Sequence, residues 1–130
     1  MTRKNQFAIK LLLVTLLPVL IMFGLASTVK YAVAAPDLTG VYRSNDGGTY
    51  YVRQLGNTVW WLGTSADDGG TYTNVFKGII TGSKINGNWA DVPRGQNNAG
   101  GAMTIQILNP NSFKKLSQTG GFGPSLWNRI

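Results

Sequence analysis

The carboxylates of this chain that could serve in catalysis are few, and all are aspartates. Its 130 residues include no His, no Cys and no Glu, and the carboxylates are Asp37, Asp46, Asp67, Asp68 and Asp91. Without His or Cys, neither a Ser-His-Asp nor a Cys-His constellation can form, and the usual zinc ligands are missing. What remains is glycosidase chemistry, which needs two carboxyl groups at a defined separation. The sequence predicts a protein that is not an enzyme, with an aspartate-based hydrolase as the minor alternative.

Two aspartate groups can be tested for chemistry. Asp46 and Asp91 are the one pair suited to hydrolysis, although the turn formed by residues 45–48 already accounts for Asp46. Asp67 and Asp68 precede two glycines and can offer weak calcium ligands, but calcium takes about six to eight oxygens. We therefore predict no metal site and no cofactor.

Another group of residues suits binding. It comprises aromatic and polar side chains that the strand pattern below sends inward, namely Tyr42, Tyr72, Asn74, Trp89 and Asp91. Aromatic rings stack on sugars or apolar ligands, while amide and carboxylate groups orient them. Asn74 and Asp91 have an alternative role, in which each bonds backbone near a rim. In that role Arg94 is placed to form an ion pair with Asp91.

Adjacent aromatic pairs supply candidates for an exposed site. In Tyr50-Tyr51 and Trp60-Trp61, one member of each pair must point outward if the segment is a strand. We expect Trp60 or Trp61 at the rim of a pocket. An exposed Trp, together with Phe122 in a glycine-rich loop, also suits an interface with another protein.

The elements that position these residues are short strands. No window has a helical apolar period over ten residues, whereas β-rich runs alternate with clusters of Gly, Asn, Asp or Pro. The predicted strands span residues 38–43, 49–54, 58–63, 72–80, 84–92, 102–108, 112–118 and 125–130. The pattern predicts an all-β fold, a small antiparallel up-and-down barrel of about eight strands. Its interior is either filled by side chains or holds one small ligand.

Side-chain alternation assigns the faces. Lys77 is expected to face water, which sends its neighbours at even positions in strand four inward. The inward set of strands one, four, five and six is Leu38, Gly40, Tyr42, Tyr72, Asn74, Phe76, Gly78, Ile80, Ile85, Gly87, Trp89, Asp91, Met103, Ile105 and Ile107.

The first 34 residues have the order of an export signal. Arg3, Lys4 and Lys10 precede an uncharged stretch at 11–29, and Ala32 and Ala34 then follow as a signal-peptidase site. Cleavage leaves a domain of residues 35–130, secreted, periplasmic or at the cell surface. The alternative is an N-terminal anchor helix, since residues 11–29 approach the ~20 needed to cross a bilayer. The membrane is then a partner only through that segment.

The charge and composition follow the same division. Four of the 12 cations precede residue 35 and all five aspartates follow it, so the net charge of +7 falls to +3 for residues 35–130. That value is ordinary, and we predict no nucleic-acid partner. With no Cys there are no disulfides, and the fold depends on its core.

The run Leu38-Thr39-Gly40-Val41-Tyr42 resembles the first strand of the calycins, the superfamily of lipocalins and avidins, which begins with Gly-x-Trp. In that family an Arg from the end of the barrel lies against the Trp ring. The resemblance implies that Tyr42 takes the place of the Trp and that Arg129 is its cationic partner. A guanidinium stacks on an aromatic face and closes the bottom of the barrel.

A second resemblance covers separate stretches of the chain. Residues 50–54, 56–57, 59–61, 73–76 and 89–93 resemble a recurring module of uncharacterised exported bacterial proteins. This resemblance implies no activity.

Together these patterns predict an exported, non-catalytic binding domain for a small molecule or glycan in a barrel pocket. The alternatives are a protein-interaction or inhibitor module that uses exposed aromatics, and a structural domain with a filled barrel. An open cavity containing Asn74 and Asp91 favours the first. A filled barrel with an outward Trp/Tyr patch favours the second, and a filled barrel without a patch favours the third.

Overall fold

A computed structural model describes residues 36–130 of the chain. The predicted signal at residues 1–34, its anchor segment at 11–29 and the helix expected there lie outside the described residues. The described part contains eight strands, which are β1 (Gly40–Ser44), β2 (Thr49–Leu55), β3 (Thr58–Thr64), β4 (Thr73–Thr81), β5 (Lys84–Asp91), β6 (Gly100–Asn109), β7 (Ser112–Gln118) and β8 (Leu126–Arg129). Among residues 36–130, no helix has the length and hydropathy needed to cross a membrane.

The eight strands form a closed antiparallel barrel. Each strand pairs with the next along the chain, and β1 also pairs with β8, where Tyr42 lies opposite Arg129 and Ser44 lies opposite Trp127. The predicted up-and-down barrel of eight strands is therefore confirmed. Closure pairs the backbone N–H and C=O groups that an open sheet leaves unpaired at its edge strands.

The up-and-down order places the connections at two ends. One end, called the loop end, holds the longer connections at residues 45–48, 65–72, 92–99 and 119–125. The other end, called the entry end, holds the first described residues (36–39), the short connections 56–57, 82–83 and 110–111, and Ile130. β1, β3, β5 and β7 run toward the loop end, and the even-numbered strands run back.

Burial alternates along the strands as predicted. In β4, Asn74, Phe76, Gly78 and Ile80 are buried while Lys77 is exposed. The alternation also settles the adjacent aromatic pairs, because Tyr50 and Trp61 are buried whereas Tyr51 and Trp60 are exposed. The strand bounds lie within two residues of the predicted ones. Leu38 was predicted to be the first residue of strand one. It lies before β1 instead, and it is buried at the entry end.

Aromatic rings fill the centre of the barrel. The indole of Trp61 stacks on Phe76 with centroids 4.3 Å apart, meets Tyr50 edge-on at 5.3 Å, and lies 5.4 Å from the ring of Trp127. Phe113 stacks on Trp127 at 5.1 Å. Large rings at such distances bury much apolar area and gain further from their relative geometry, so they supply much of the stability of a core without disulfides.

One glycine makes this packing possible. A Cβ atom added to Gly63 on β3 would lie 2.3 Å from Cε1 of Tyr50 and 2.7 Å from Oδ1 of Asn74. The ring of Tyr50 therefore crosses β3 where β3 has no side chain, and the bulky interior fits inside a barrel of eight strands.

Candidate functional site

Four of the predicted inward residues meet at the loop end. Tyr72, Asn74, Trp89 and Asp91 line a common cavity there. Tyr42 lies apart from them, because its hydroxyl donates to the carbonyl of Leu38, 2.9 Å away at the entry end. The strand pattern thus unites four members of the predicted ligand set and separates the fifth.

That cavity is small. Its volume is about 30 Å³, and residues of the β7–β8 connection form its other wall. A volume of this size suits one or two water molecules, so this interior cavity is closed to a drug-sized or sugar-sized ligand in this conformation.

Phe122 closes the loop end. We expected this residue to be an exposed interface aromatic, but that prediction is wrong, because only 4% of its surface is exposed. Its ring meets the ring of Trp89 edge-on at 4.9 Å and lies 6.0 Å from the ring of Trp127. Neighbouring glycines let the connection fold back over the barrel, so that burial of the ring outweighs its position in a loop.

Polar side chains hold the Phe122 connection in place. Oε1 of Gln118 accepts hydrogen bonds from the backbone N–H groups of Gly121 and Phe122, at 2.9 and 3.0 Å. Nζ of Lys115 donates to the carbonyl of Phe122 at 2.5 Å, and partial burial lowers the pKa of this amine. Phe122, which we call the plug, is therefore fixed by charge-assisted and neutral hydrogen bonds as well as by packing.

A hydrogen-bonded network lies just beneath the plug. Nε1 of Trp61 donates to Oδ1 of Asn74 at 2.8 Å, and Nδ2 of Asn74 lies 3.5 Å from the hydroxyl of Tyr50. Burial raises the pKa of Tyr50 well above its ordinary value. Asn74 thus bonds to side chains of the interior rather than to the backbone. By contrast, the buried Nε1 of Trp127 has no hydrogen-bond partner in the part of the chain that the structure describes.

Asp46 and Tyr72 form a second polar contact at the loop end. The phenol of Tyr72 donates to Oδ2 of Asp46 at 2.9 Å, and the Asp46 carboxylate also accepts from the Ser44 hydroxyl and the Gly48 N–H. Burial, reinforced by this carboxylate, raises the pKa of Tyr72 to about 12. Asp46 is consequently held by its own turn and by the barrel wall.

Asp91 has a different partner from the one expected. Its Oδ2 accepts a hydrogen bond from the backbone N–H of Ala99 at 3.0 Å, which is the predicted role near a rim. The predicted ion pair with Arg94 is wrong, since Arg94 binds Asp68 with Nη2 to Oδ2 at 2.8 Å. The connection after β5 turns Arg94 toward the β3–β4 connection, where it also donates to the carbonyl of Asp68.

The four aspartates of the loop end, Asp46, Asp67, Asp68 and Asp91, are each held by hydrogen bonds. Asp67 accepts from the hydroxyl of Ser65 and from Oγ1 of Thr71, the latter at 2.7 Å, and these bonds hold its pKa at about 2. Within residues 36–130, no group of three or more acidic, His or Cys side chains is able to hold a metal ion. Asp46 and Asp91, the pair considered for hydrolysis, are both occupied by the hydrogen bonds described above.

The larger concave site lies outside the barrel. A groove of about 420 Å³ runs across β3, β4 and β5, with Trp60, Val75, Lys77, Asn88 and Ala90 as its outward lining. Trp60 is 44% exposed and Trp61 is buried beneath it, so only one of the two predicted rim residues faces solvent. We call the lining just given, together with Tyr51, Arg53 and Leu62, the outer face.

Strand register orders the outer face into two rows. In the first, Tyr51 lies opposite Leu62, Leu62 opposite Val75, and Val75 opposite Ala90. In the second, Arg53 lies opposite Trp60, Trp60 opposite Lys77, and Lys77 opposite Asn88. An apolar row therefore borders a row in which an indole lies between two cations.

The two cations form no ion pair within residues 36–130. Nζ of Lys77 lies 4.9 Å from the centroid of the Trp60 ring, and neither Lys77 nor Arg53 forms an ion pair with any carboxylate of residues 36–130. A cation over an indole face is held by the ring quadrupole and stays available to an external anion.

At the entry end, Arg129 and Tyr42 make the contact that the resemblance to calycins implies. The guanidinium carbon lies 5.0 Å from the centroid of the Tyr42 ring. The same guanidinium donates to the carbonyls of Thr39, Asp37 and Pro110, at 2.6, 3.0 and 2.8 Å. Burial raises the pKa of the Tyr42 phenol, and the contact ties β8 to the residues that precede β1.

No protein-family model matches the chain, and neither a curated protein nor a solved structure is significantly similar to it. The barrel and its contacts therefore carry the functional argument.

Sequence reasoning missed the outer face as a continuous surface. The sequence does indicate this surface, because Arg53 on β2 and Lys77 on β4 both face water. These two strands flank β3, which has no charged residue. Pairing across β3 was needed to bring those cations to Trp60.

Proposed function

We propose that this barrel is an exported, non-catalytic module that binds a protein partner through its outer face. The observation that carries the proposal is a filled interior combined with an outward patch of Trp60, Tyr51, Leu62 and Val75. Monomeric soluble proteins seldom leave large apolar side chains side by side on a sheet, and such patches usually mark binding sites.

The interior supports binding less well than the outer face. A small molecule or glycan in the barrel has about 30 Å³ available beside Asn74 and Asp91, against about 420 Å³ in the groove outside. Entry of a larger ligand requires Phe122 to leave its contacts with Trp89 and Trp127.

The chemistry of the groove favours a protein over a glycan. Lys77 covers one face of the Trp60 indole, and a sugar ring needs such a face for stacking. Sugar hydroxyls also need several polar partners, but Asn88 is the one amide among the outward lining residues. A protein that offers an apolar side chain beside a carboxylate satisfies both rows, because the carboxylate meets Arg53 or Lys77.

The proposal also includes that the domain is exported and that its barrel is calycin-like. The basic, apolar and Ala-x-Ala order of residues 3–34 supports a signal peptide, and an uncleaved anchor at 11–29 is its alternative. The Gly40-x-Tyr42 motif and the stacking of Arg129 on Tyr42 support a calycin-like barrel.

The test compares substitutions of equal exposure on two sides of the barrel. The full chain is purified from its own source as wild type and as Trp60→Ala, Leu62→Ala and Leu116→Ala, and retained molecules are measured by native mass spectrometry. Leu62 and Leu116 are 41% and 45% exposed, so the two leucine variants remove similar surface.

We expect wild type and Leu116→Ala to retain a protein that Trp60→Ala releases. Loss of a central Trp typically costs about 2 kcal/mol or more of binding free energy. The dissociation constant of the complex with Trp60→Ala should therefore rise about 30-fold. A small molecule retained by all four proteins would instead support a ligand inside the barrel. Equal retention of the partner protein by Trp60→Ala and Leu116→Ala would refute the proposed outer face.

A further inference from the structure

The two ends of the barrel differ in charge. Asp46, Asp67, Asp68 and Asp91 lie in the loop-end connections or at the strand end that meets them, and only Asp37 lies at the entry end. Lys84 begins β5 at the entry end, and Arg53 and Lys114 lie in the halves of their strands that face it. The entry end is therefore the cationic pole of residues 36–130.

The entry end also carries a ring of exposed aliphatic side chains. Each even-numbered strand ends there, and each contributes one such residue at or near its last position: Leu55, Ile79, Leu108 and Ile130. These strands alternate around the barrel, so the four side chains are distributed around one pole rather than collected on one side. Exposed large hydrophobic side chains also lie within two residues of the loop-end strand termini, at Tyr51, Leu62, Val75, Leu116 and Leu126, so the cations distinguish the entry end from the loop end.

The chain joins the barrel at this pole. Leu38 is fully buried there, and Arg129 binds the carbonyls of Asp37 and Thr39. Along the sequence, Val29 closes the uncharged stretch 11–29, and six residues separate it from Pro36. The pole with the aliphatic ring is thus the one that follows the apolar stretch along the chain.

We propose that the entry end docks on a lipid surface that carries anionic headgroups. Aliphatic side chains spaced around the pole of a cylinder match a flat surface across the barrel axis, whereas a protein pocket would call for a compact patch on one side. Lys84 and Lys114 then meet the headgroups, and the aspartates of the loop end stay away from the negative surface.

This docking uses other residues than the outer face that binds protein in the proposed function. Leu55 is the last residue of β2 and lies opposite Thr58, one row beyond the Arg53–Trp60 pair of the outer face. The two surfaces have different chemistry, since the ring is aliphatic and the outer face is centred on an indole. A barrel that stands on its entry end leaves its side available to a second partner.

The absence of cysteine gives a direct test. Leu55→Cys and Leu108→Cys place a single thiol in the ring, and Ala66→Cys places one on an exposed position of the loop end. The full chain, in the form isolated from its source, is labelled with an environment-sensitive fluorophore and mixed with vesicles of phosphatidylcholine with and without phosphatidylglycerol. Quenching by a nitroxide-labelled lipid reports contact.

We expect the labels at positions 55 and 108 to shift to the blue and to be quenched when phosphatidylglycerol is present, while the label at 66 is unchanged. Lys84→Gln should weaken the partition of the labelled protein about fivefold, because each cation near an anionic surface contributes about that factor. Trp60→Ala should leave the response unchanged, which separates this test from that of the protein partner.

Three results would overturn the docking. Equal quenching at positions 55 and 66 would indicate insertion without orientation. No quenching at 55 and 108 would indicate that the ring does not touch lipid. A label at 55 that responds to a purified partner protein, and not to vesicles, would assign the pole to a protein instead.

Discussion

The indole N–H of Trp61 donates a hydrogen bond to Oδ1 of Asn74, 2.8 Å away, inside the barrel and beneath the Phe122 plug. The two residues lie on adjacent strands, and Asn74 also approaches the Tyr50 hydroxyl. A buried amide that serves an indole and a phenol fixes both rings at the loop end. This contact gives a polar residue of the interior hydrogen-bond partners within the barrel.

Replacing the amide should therefore destabilise the barrel. Asn74→Leu keeps a similar volume and leaves the N–H of Trp61 without an acceptor, so we expect a loss of about 1–3 kcal/mol in the free energy of unfolding. Urea denaturation measures it. Asn88→Leu, an exposed change on β5, should stay within about 0.5 kcal/mol of wild type. Equal midpoints for the two variants would contradict the structural role of Asn74.

Phe122 should count as a core residue although it lies in a connection. Phe122→Ala should cost about 3–5 kcal/mol of unfolding free energy, because it removes a buried ring from between Trp89 and Trp127. It should also raise the quenching of tryptophan fluorescence by acrylamide. Leu116→Ala, at an exposed site on β7, is the control. A near-neutral Phe122→Ala would mean that the loop end opens readily.

Asp67 should make the fold sensitive to acid. The hydroxyl of Ser65, first, and Thr71 lower its pKa from 3.8 to about 2. A carboxyl whose pKa is depressed by folding stabilises the native state above its unfolded pKa, and that contribution disappears as the pH falls from about 4 to about 2. Between these pH values, the urea midpoint of wild type should fall more than that of Asp67→Asn.

Ser65→Ala provides a second measurement on the same group. Removing the hydroxyl should raise the pKa of Asp67 toward 3.8, as followed by the carboxyl carbon shift in an NMR titration. An unchanged pKa in Ser65→Ala would contradict the assigned cause.

Arg129 should stabilise the entry end through its shape as well as its charge. Arg129→Lys keeps the charge but cannot serve three carbonyls and stack on Tyr42, so we expect a loss of about 1–3 kcal/mol in unfolding free energy. Hydrogen exchange should then speed up at the amide N–H of Ile130, which donates to the carbonyl of Val41, and around β8. Arg43→Lys, an exposed change on β1, is the matched control. If the two variants unfold alike, the guanidinium geometry at the entry end has no special role.

Much of this fold follows from the period of two in the sequence. Lys77 and Lys84 set the outward parity of β4 and β5, and Trp89, Phe76 and Ile85 are buried as that parity requires. Parity could not be assigned to β3, because the strand has no charged residue and both of its tryptophans are compatible with either face. Only pairing with β2 and β4 decides that Trp61 is the buried one.

The misplaced residues lie in connections. Phe122 and Arg94 have no strand period to orient them, and their positions depend on contacts with parts of the chain that are distant in sequence. The outer face has the same origin, since Arg53, Trp60 and Lys77 come together through register. Local pattern predicts which side of a strand a residue takes, whereas neighbours across strands depend on how hairpins align.

Because β1 and β8 are paired, a partner cannot extend this sheet by adding a strand of its own. The proposed recognition then depends on side chains alone. Substitutions among the outward residues of β2 to β5 can consequently change the proposed binding surface while the ladder of hydrogen bonds and the ring-filled centre stay as they are. The residues that hold the barrel together are thus distinct from those at which its exterior can diversify.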